Sequence, residues 1–293
     1  MPLSAQRMID QVDQAIQTVH RALDLGITLL DTSDIYAPSW DQVGHNERLV
    51  ARALACYGGP ANLDEVLVTT KGGITRGPGE SWGRNSQPDA LRAACEASLQ
   101  ALQVEVIDLY QHHRHDPQLP YAEQMRALAA LREQGLVRMI GLSNANGPEL
   151  ELALDLLGGP EQGGVVSVQN EYSPRFRADG DVLERCTELG IAFLPWSPLG
   201  GAEQAHQVGS HYREFAEVGE EVGASAQEVV LAWLLATSPV MIPIPGATRP
   251  ATVESIVRAG SLKLSDAQVR RLADTIPQES SMYPDDEPRS PLR

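Results

Sequence analysis

The feature that most constrains the fold is a regular alternation of short apolar runs with stretches of helical periodicity. Each run is rich in Val, Ile, Leu or Thr, and most are followed by a polar loop and a helical pattern. The predicted strands lie near 27–31, 65–71, 106–112, 137–142, 165–169, 191–196 and 240–244. The predicted helices lie near 8–25, 46–57, 88–102, 120–135, 147–157, 180–189, 210–236 with an interruption, and 250–258. This order predicts an α/β protein with a parallel sheet covered by helices.

Two architectures fit that pattern, a doubly wound sheet and a (βα)8 TIM barrel. A doubly wound dinucleotide domain usually carries GxGxxG directly after its first strand, where it opens a helix. In this chain the glycine-rich stretch follows Lys71, and Trp82 and other residues separate it from the next helix. Its glycines are Gly72, Gly73, Gly77, Gly79 and Gly83. We interpret the stretch as a long active-site loop and predict the barrel, whose active site lies at the C-terminal strand ends.

The chain length fits one barrel domain spanning residues 1–293. The seven predicted strands do not close an eight-stranded barrel, and the first predicted element is a helix. We therefore expect that a strand belonging before Met1 is missing from this chain.

Composition narrows the choice of partners and location. The formal net charge of −16 argues against nucleic acid and anionic membrane partners, which need clustered Lys and Arg. No apolar run is long enough to span a bilayer, and no basic segment precedes an apolar one, which predicts a cytoplasmic protein. Cys56, Cys95 and Cys186 are far apart and show no metal-binding spacing, so we expect reduced core thiols and no metal. A monomer and a weak dimer are both open.

Four polar residues stand where predicted strands end or just beyond them. Asp31 follows ITLL, Tyr36 lies in the next loop, Lys71 ends EVLVTTK and His113 ends VIDLYQHH. The C-terminal ends of parallel strands meet at one edge of a sheet, so these side chains are expected to lie close together. A Tyr beside a Lys and a carboxylate, with a His nearby, predicts a site that protonates a carbonyl oxygen.

Seven segments, in order along the chain, resemble the aldo-keto reductases. They are DTSDIY, VTTKGG, DLYQHH, GLSN, SVQN, PWSPLGG and IPIPGATRP, between residues 31 and 250. The resemblance implies a (βα)8 barrel that reduces aldehydes or ketones with NADPH, or less often NADH, without a metal. It also implies that Asp31, Tyr36, Lys71 and His113 form the catalytic tetrad. His112 occupies a position that is usually apolar in the family.

The same resemblance assigns residues to the cofactor. It assigns Asp31 to cofactor binding as well as to catalysis. Ser143, Asn144 and Gln169 match residues that bind the nicotinamide carboxamide, and Trp196 stands where an aromatic ring stacks on it. Ser197, Leu199 and Gly200 follow along the pyrophosphate, and the segment Gly246, Ala247, Thr248 and Arg249 resembles the part that holds the 2′-phosphate.

The tetrad suits the chemistry of the family. Hydride transfer to a carbonyl carbon leaves an alkoxide, so a proton must be supplied in the same transition state. A free phenol with a pKa near about 10 is weakly acidic at neutral pH, and a neighbouring ammonium lowers that pKa. We therefore expect Lys71 to activate Tyr36, Asp31 to keep Lys71 charged, and His113 to orient the substrate oxygen.

Some features depart from the family or leave alternatives open. Family members usually begin with a Gly-rich strand, often after a small hairpin, whereas residues 1–4 resemble only the tail of that strand, so we expect a truncated chain or a misassigned start. A missing strand favours the alternative of a catalytically impaired NADP(H)-binding regulatory subunit or redox sensor. Trp40 and Trp82 either line the substrate pocket or pack the loops.

Overall fold

The structure, a computed structural model, describes residues 2–277, 280–284, 289 and 291–293. These residues form two compact units. The first unit contains the described residues up to 167, residues 247–250 and those from 289 onward, and the second contains the described residues within 168–246 and 251–284. The assignment of residues 1–293 to a single barrel domain stays a prediction.

A parallel sheet of six strands confirms the predicted α/β class. The strands are β1 (Leu29–Asp31), β2 (Leu67–Gly72), β5 (Ile107–His112), β6 (Val137–Ser143), β7 (Val165–Gln169) and β8 (Ala192–Phe193), in the order β1-β2-β5-β6-β7-β8. Two further strands, β3 (Ile74–Gly77) and β4 (Ser81–Arg84), pair antiparallel with each other. With six sheet strands in the described part of the chain, the eight-stranded barrel stays a prediction.

Helices separate the strands much as the periodicity predicts. The first unit contains α1 (Val12–Asp24), α2 (His45–Ala55), α3 (Pro88–Leu102), α4 (Tyr121–Glu133) and α5 (Gly147–Leu157). The second contains α6 (Gly180–Leu189), α7 (Val208–His211), α8 (Arg213–Val222), α9 (Ala226–Thr237), α10 (Pro250–Ser261) and α11 (Asp266–Ala273). The first residue of α10, Pro250, is assigned to the first unit, and the rest of that helix to the second. Among the described residues, no helix has the length and apolarity needed to cross a membrane.

Two sequence predictions about local structure are wrong. Residues 240–244 form no strand, because Pro243 and Pro245 lack the N–H groups that a sheet ladder needs, and only Met241 makes an isolated bridge to Phe193. The glycine-rich stretch after Lys71, predicted as a long active-site loop, contains the β3–β4 hairpin. Pro2–Ser4 is a 3₁₀ turn and not the tail of a strand.

The register of the sheet places polar side chains on one face. Asp31 of β1 pairs with Thr69 of β2, and two residues further along β2 Lys71 pairs with Gln111 of β5. Side chains along a strand alternate between faces, so residues two apart share a face. The side chains of Asp31, Lys71 and Gln111 therefore project from the same side of the sheet.

The N-terminus of α4 is closed by residues near the end of the chain. The residue before the helix, Pro120, makes no side-chain cap. Instead the backbone N–H groups of Tyr121 and Ala122 donate to the carbonyl oxygens of Pro291 and Leu292, at 2.8 and 3.0 Å. These are two of the N–H groups that a helix cannot satisfy internally.

Candidate active site

The centre of the candidate site is a buried ion pair between two neighbouring strands. The ammonium of Lys71 lies 2.8 Å and 2.7 Å from the two carboxylate oxygens of Asp31, and it also donates to the carbonyl oxygen of Thr32 at 2.7 Å. Lys71 is fully buried, while the side chain of Asp31 keeps 12% of its exposure. These oxygens compensate the positive charge of the buried ammonium in a dry environment.

The loop after β1 brings Tyr36 next to this pair. The N–H of Tyr36 donates to the carbonyl oxygen of Ser33 at 3.2 Å, and the N–H of Asn46, in the first turn of α2, donates to the carbonyl oxygen of Tyr36 at 3.0 Å. These bonds hold both sides of the Tyr36 backbone. The Lys71 ammonium then lies 5.2 Å from the centre of the Tyr36 ring.

Burial and charge act against each other on the Tyr36 phenol. Burial is the largest effect and raises its pKa above the ordinary value, and the charge of Lys71 opposes this by lowering it. The pKa of Lys71 is also raised: burial alone would lower it, but the charges of Asp31 and Tyr36 outweigh that effect. At neutral pH the site therefore holds an ammonium beside a protonated phenol.

The two adjacent histidines have different surroundings. The His113 ring lies edge-on to the Tyr36 ring, with the ring centres 6.1 Å apart, and its Nδ1 is 3.3 Å from Ser33 Oγ. His112 instead bonds Ser86 Oγ through Nε2 at 2.9 Å and packs edge-on against Tyr121. Asp31, Tyr36, Lys71 and His113 thus come together in the first unit, as the sequence predicted, and His112 points elsewhere.

Both histidines are neutral at neutral pH. Burial first, and then the charges of Lys71 and Arg114 and the neighbouring His112, hold the pKa of His113 well below its ordinary value. Burial, followed by the effect of His115, lowers the pKa of His112 to about 3. A neutral imidazole carries one ring hydrogen, so His113 donates from one nitrogen and accepts at the other.

Several buried polar residues at this site were not singled out by the sequence analysis. Gln111 donates from Nε2 to Thr69 Oγ1 at 2.8 Å and to Asp31 Oδ1 at 3.4 Å. Ser33 and Asp34 are buried between Asp31 and Tyr36. All three lie inside the motifs DTSDIY and DLYQHH, so the family resemblance pointed to this part of the chain. The residue type alone, however, does not show whether a polar side chain is buried in the site or exposed at the surface.

The hairpin binds the loop that carries Tyr36. Arg76 of β3 donates to the carbonyl oxygens of Ala37 at 2.7 Å, Pro38 at 3.3 Å and Ile35 at 3.4 Å. Its Nε pairs with Glu80 Oε2 at 2.6 Å, and its guanidinium stacks 5.0 Å from the Trp82 ring centre. Trp82 and Trp40 are both exposed, and the choice between lining the substrate pocket and packing the loops stays a prediction.

Five more of the residues assigned to the cofactor lie in the first unit. Ser143 ends β6 and is buried, and Asn144 follows it with a left-handed φ of 57°. Asn144 Nδ2 donates to the carbonyl oxygen of His113 at 2.9 Å and to Ser143 Oγ at 3.1 Å. Ala247 and Thr248 are half-buried and Arg249 is exposed directly before α10. Residues other than glycine rarely adopt a left-handed φ like that of Asn144, and where they do the position is often functional.

The remaining six lie in the second unit. Gln169 is buried at the end of β7. The N–H of Trp196 donates to the carbonyl oxygen of Asn170 at 2.9 Å, and its ring lies 5.8 Å from that of Tyr283. Ser197 has a left-handed φ of 49°, and the N–H of Gly200 closes a turn onto its carbonyl at 2.8 Å. Leu199 is half-buried in that turn, and Gly246 is exposed.

Comparison with known proteins decides the family. The profile of the Aldo/keto reductase family matches residues 9–276. The chain belongs to the aldo/keto reductase family. It is 34% identical over 276 residues to an uncharacterized oxidoreductase of Schizosaccharomyces pombe, which covers 94% of this chain and 83% of the relative. It is 31% identical over 271 residues to pyridoxine 4-dehydrogenase of Escherichia coli strain K12, which covers 90% and 87%.

A solved structure supports the fold. An aldo-keto reductase from Klebsiella pneumoniae in complex with NADPH aligns with a TM-score of 0.76 and 21% identity, over 98% of this chain and 91% of that one. The sequence prediction of an aldo-keto reductase is therefore confirmed, and this member of the family is an oxidoreductase. In the described part of the chain, no group of three or more His, Cys, Asp or Glu side chains is placed to hold a metal ion.

Proposed function

We propose that this aldo-keto reductase reversibly reduces an aldehyde or ketone to the alcohol, with NADPH as the hydride source and Tyr36 as the proton donor. The observation that carries the proposal is the position of the buried Lys71 ammonium, paired with Asp31 and 5.2 Å from the centre of the Tyr36 ring. The relative named as a dehydrogenase fits the reverse direction.

Each member of the tetrad has a distinct task in this proposal. Tyr36 holds its proton at neutral pH and gives it to the carbonyl oxygen as negative charge develops there. Lys71 stabilises the phenolate that remains, because a fixed positive charge in a dry site acts strongly on nearby anions. Asp31 keeps Lys71 charged. His113, which is neutral, donates a hydrogen bond to the same oxygen and orients it.

The residues present fit a phosphorylated dinucleotide. When bound, NADPH supplies the hydride, and the protein supplies binding and electrostatics. We propose that Asp31, Ser143 and Asn144 line the nicotinamide, where the left-handed Asn144 and its bond to the His113 carbonyl fix the amide. Arg249 is exposed beside the N-terminus of α10, a position that suits the 2′-phosphate. For the other residues that the family resemblance assigns to the cofactor, we propose the same roles as those predicted from the sequence.

A screen of NADPH consumption against aldehydes, ketones and sugars tests the proposal. Turnover of any of these by the wild type, and its loss in Tyr36→Phe, is the expected result. Tight NADPH binding without turnover of any carbonyl would instead favour the regulatory subunit. The observation that favours the regulatory subunit is the six-stranded sheet.

Replacing Arg249 with Ala is expected to raise the KM for NADPH by about 10- to 100-fold, since one charge-assisted contact to the 2′-phosphate is lost. The KM for NADH, which lacks that phosphate, is expected to stay nearly unchanged. Arg126→Ala, which removes an exposed arginine on α4, is the control for the change in net charge. Equal losses for both cofactors in Arg249→Ala would remove the 2′-phosphate assignment.

Replacing Arg76 with Ala is expected to lower kcat/KM by about 10-fold or more, because small displacements of a catalytic group cost much of the rate. The three carbonyl contacts that fix the Tyr36 loop are lost in this variant. Arg92→Ala is a matched control, since Arg92 pairs with Glu96 four residues later, as Arg76 does with Glu80, but on α3. An equal decrease of kcat/KM in Arg76→Ala and Arg92→Ala would contradict a positioning role for Arg76.

A further inference from the structure

A serine hydroxyl lies between the carboxyl group of Asp34 and the ring of His113. Ser33 Oγ is 3.0 Å from Asp34 Oδ1 and 3.3 Å from His113 Nδ1. Asp34 Oδ1 also accepts the N–H of Ile35 at 2.7 Å. All three side chains are buried, so bulk water competes little for these two hydrogen bonds.

The hydroxyl has one hydrogen, and this produces two alternative states. If Asp34 is ionised, it can only accept, so Ser33 donates to it and must accept from His113 Nδ1–H. His113 Nε2 then carries no hydrogen. If Asp34 is protonated, it donates to Ser33, which in turn donates to Nδ1, and the hydrogen of the neutral ring lies on Nε2. Among the described residues Nε2 has no hydrogen-bond partner, so it is available to a substrate.

We propose that Ser33 and Asp34 are positioning residues that determine which ring nitrogen of His113 carries the hydrogen. This inference rests on the proposed function, in which His113 donates to the substrate oxygen. Only the Nε2–H form can then assist reduction, so the protonated carboxyl of Asp34 is the productive state. Neither residue contacts the reacting atoms in this scheme, and both act through His113.

The hydrogen-bonded chain from Asp34 through Ser33 to His113, here called the relay, is surrounded by charges that place its change of state near neutral pH. Burial, and then the carboxylate of Glu47, raise the pKa of Asp34 to about 7, while the bonds from Ser33 and the Ile35 N–H and the charge of Lys71 act in the opposite direction. The phenols of Tyr36 and Tyr110 also face Asp34. As pH rises through about 7, Asp34 ionises and the hydrogen of His113 is expected to move from Nε2 to Nδ1.

The groups that face His113 keep its ring neutral in both states. They are Lys71, Arg114 and His112, and burial acts in the same direction. The relay therefore changes the position of the ring hydrogen without charging the ring. A simple protonation of His113 would instead give a cationic ring.

Two single substitutions are expected to have opposite effects on the position of the His113 ring hydrogen. In Asp34→Asn the Ile35 N–H requires the amide oxygen at the Oδ1 position, where Ser33 again donates to it. This variant imitates the ionised carboxylate at every pH and keeps the hydrogen on Nδ1. In Ser33→Ala the link is removed, and His113 is free to carry its hydrogen on Nε2. The double variant is expected to behave like Ser33→Ala.

The first test is ¹⁵N NMR of the histidine rings in the full chain without cofactor or substrate. His113 signals are those absent from His113→Asn. We expect the wild type to change from Nε2–H to Nδ1–H between mildly acidic and mildly alkaline pH, Asp34→Asn to stay Nδ1–H, and Ser33→Ala to show no change. A wild-type ring that keeps one form across this range, or becomes cationic, overturns the proposal whether or not the protein has reductase activity.

The second test is the pH profile of kcat/KM for NADPH-dependent reduction. At mildly acidic pH, Asp34→Asn is expected to lose about 10-fold or more relative to the wild type, as when one donor to an oxyanion is removed. Ser33→Ala is expected to lose the fall in rate near pH 7, and the double variant to recover to the Ser33→Ala level. The pair Ser39 and Asp41, joined in the same way at 2.6 Å but exposed, gives matched controls in Ser39→Ala and Asp41→Asn.

The outcomes separate the two proposals. A double variant that is worse than either single variant indicates only structural damage and overturns the relay. The expected NMR changes without turnover of any carbonyl would contradict the proposed function and leave the assignment of the ring hydrogen standing. Unchanged Tm and unchanged NADPH quenching of tryptophan fluorescence show that the variants are folded.

Discussion

Tyr36→Phe is expected to lower kcat/KM for carbonyl reduction by about 10²- to 10⁴-fold, the range that general acid catalysis contributes. The substitution removes one oxygen and leaves the ring, which packs edge-on against His113. We therefore expect NADPH to quench tryptophan fluorescence with nearly unchanged affinity. NADPH consumption with an accepted carbonyl substrate measures the loss.

Tyr57→Phe is the matched control for this variant. Tyr57 also lies in the first unit and donates to a carboxylate, Asp24 Oδ1 at 2.7 Å, but it has no part in the proposed site. Its loss is expected to leave the rate nearly unchanged. Turnover by Tyr36→Phe comparable with that of Tyr57→Phe would reject Tyr36 as the proton donor.

Lys71→Met is expected to impair both stability and catalysis. Removing one partner of a buried pair leaves the other charge uncompensated, which typically costs about 3–5 kcal/mol of unfolding free energy. Loss of the cation that stabilises the Tyr36 phenolate is expected to lower the rate by about 10²- to 10³-fold. Urea unfolding and NADPH consumption measure the two effects separately.

A second substitution separates the stability of the pair from its chemistry. Lys71→Met combined with Asp31→Leu replaces both charges with apolar groups, and such replacements often restore stability. We expect the double variant to regain much of the lost unfolding free energy and none of the lost rate. Recovery of turnover in it would mean that the ion pair has only a structural role.

The pH dependence of the pair has a definite sign. Because the pKa of Lys71 is raised in the folded protein, its contribution to stability is complete below the unfolded pKa of about 10.4 and is lost as pH rises through the folded value. The stability difference between wild type and Lys71→Met is therefore expected to be constant through neutral pH and to shrink at strongly alkaline pH. The change near pH 7 proposed for Asp34 is distinct from it.

The meeting of the tetrad could be predicted because its members are fixed by strand ends. Asp31, Lys71 and His113 end or follow three strands, β1, β2 and β5, that are neighbours in the sheet. A parallel sheet brings such positions together whatever the details of the loops. The family motifs added Tyr36, whose position depends on a loop that periodicity alone does not describe.

Other parts of the fold could not be predicted because they depend on contacts between distant segments. The short strands of the β3–β4 hairpin lack an apolar alternation, and Arg76 anchors them through backbone carbonyls that have no sequence signature. The apolar letters around Met241 suggested a strand, yet the prolines that follow remove its donors.

Ser33 and Asp34, whose residue types are common in loops, illustrate a different limit of sequence analysis. A serine and an aspartate after a strand are ordinary helix-cap or surface residues in most loops. Their meaning here comes from burial, from the carboxylate of Glu47 on α2, and from the distance between Ser33 and His113. None of these is a property of the local sequence.

The closure of α4 by the end of the chain has a practical consequence for handling this protein. A deletion of residues 291–293 would remove the carbonyl oxygens of Pro291 and Leu292 that accept from the first N–H groups of that helix. A deletion that also removed Arg289 would break its bond to the buried carboxylate of Glu149 on α5. A loss of yield after such a deletion should therefore be traced to helix capping before the active site is suspected.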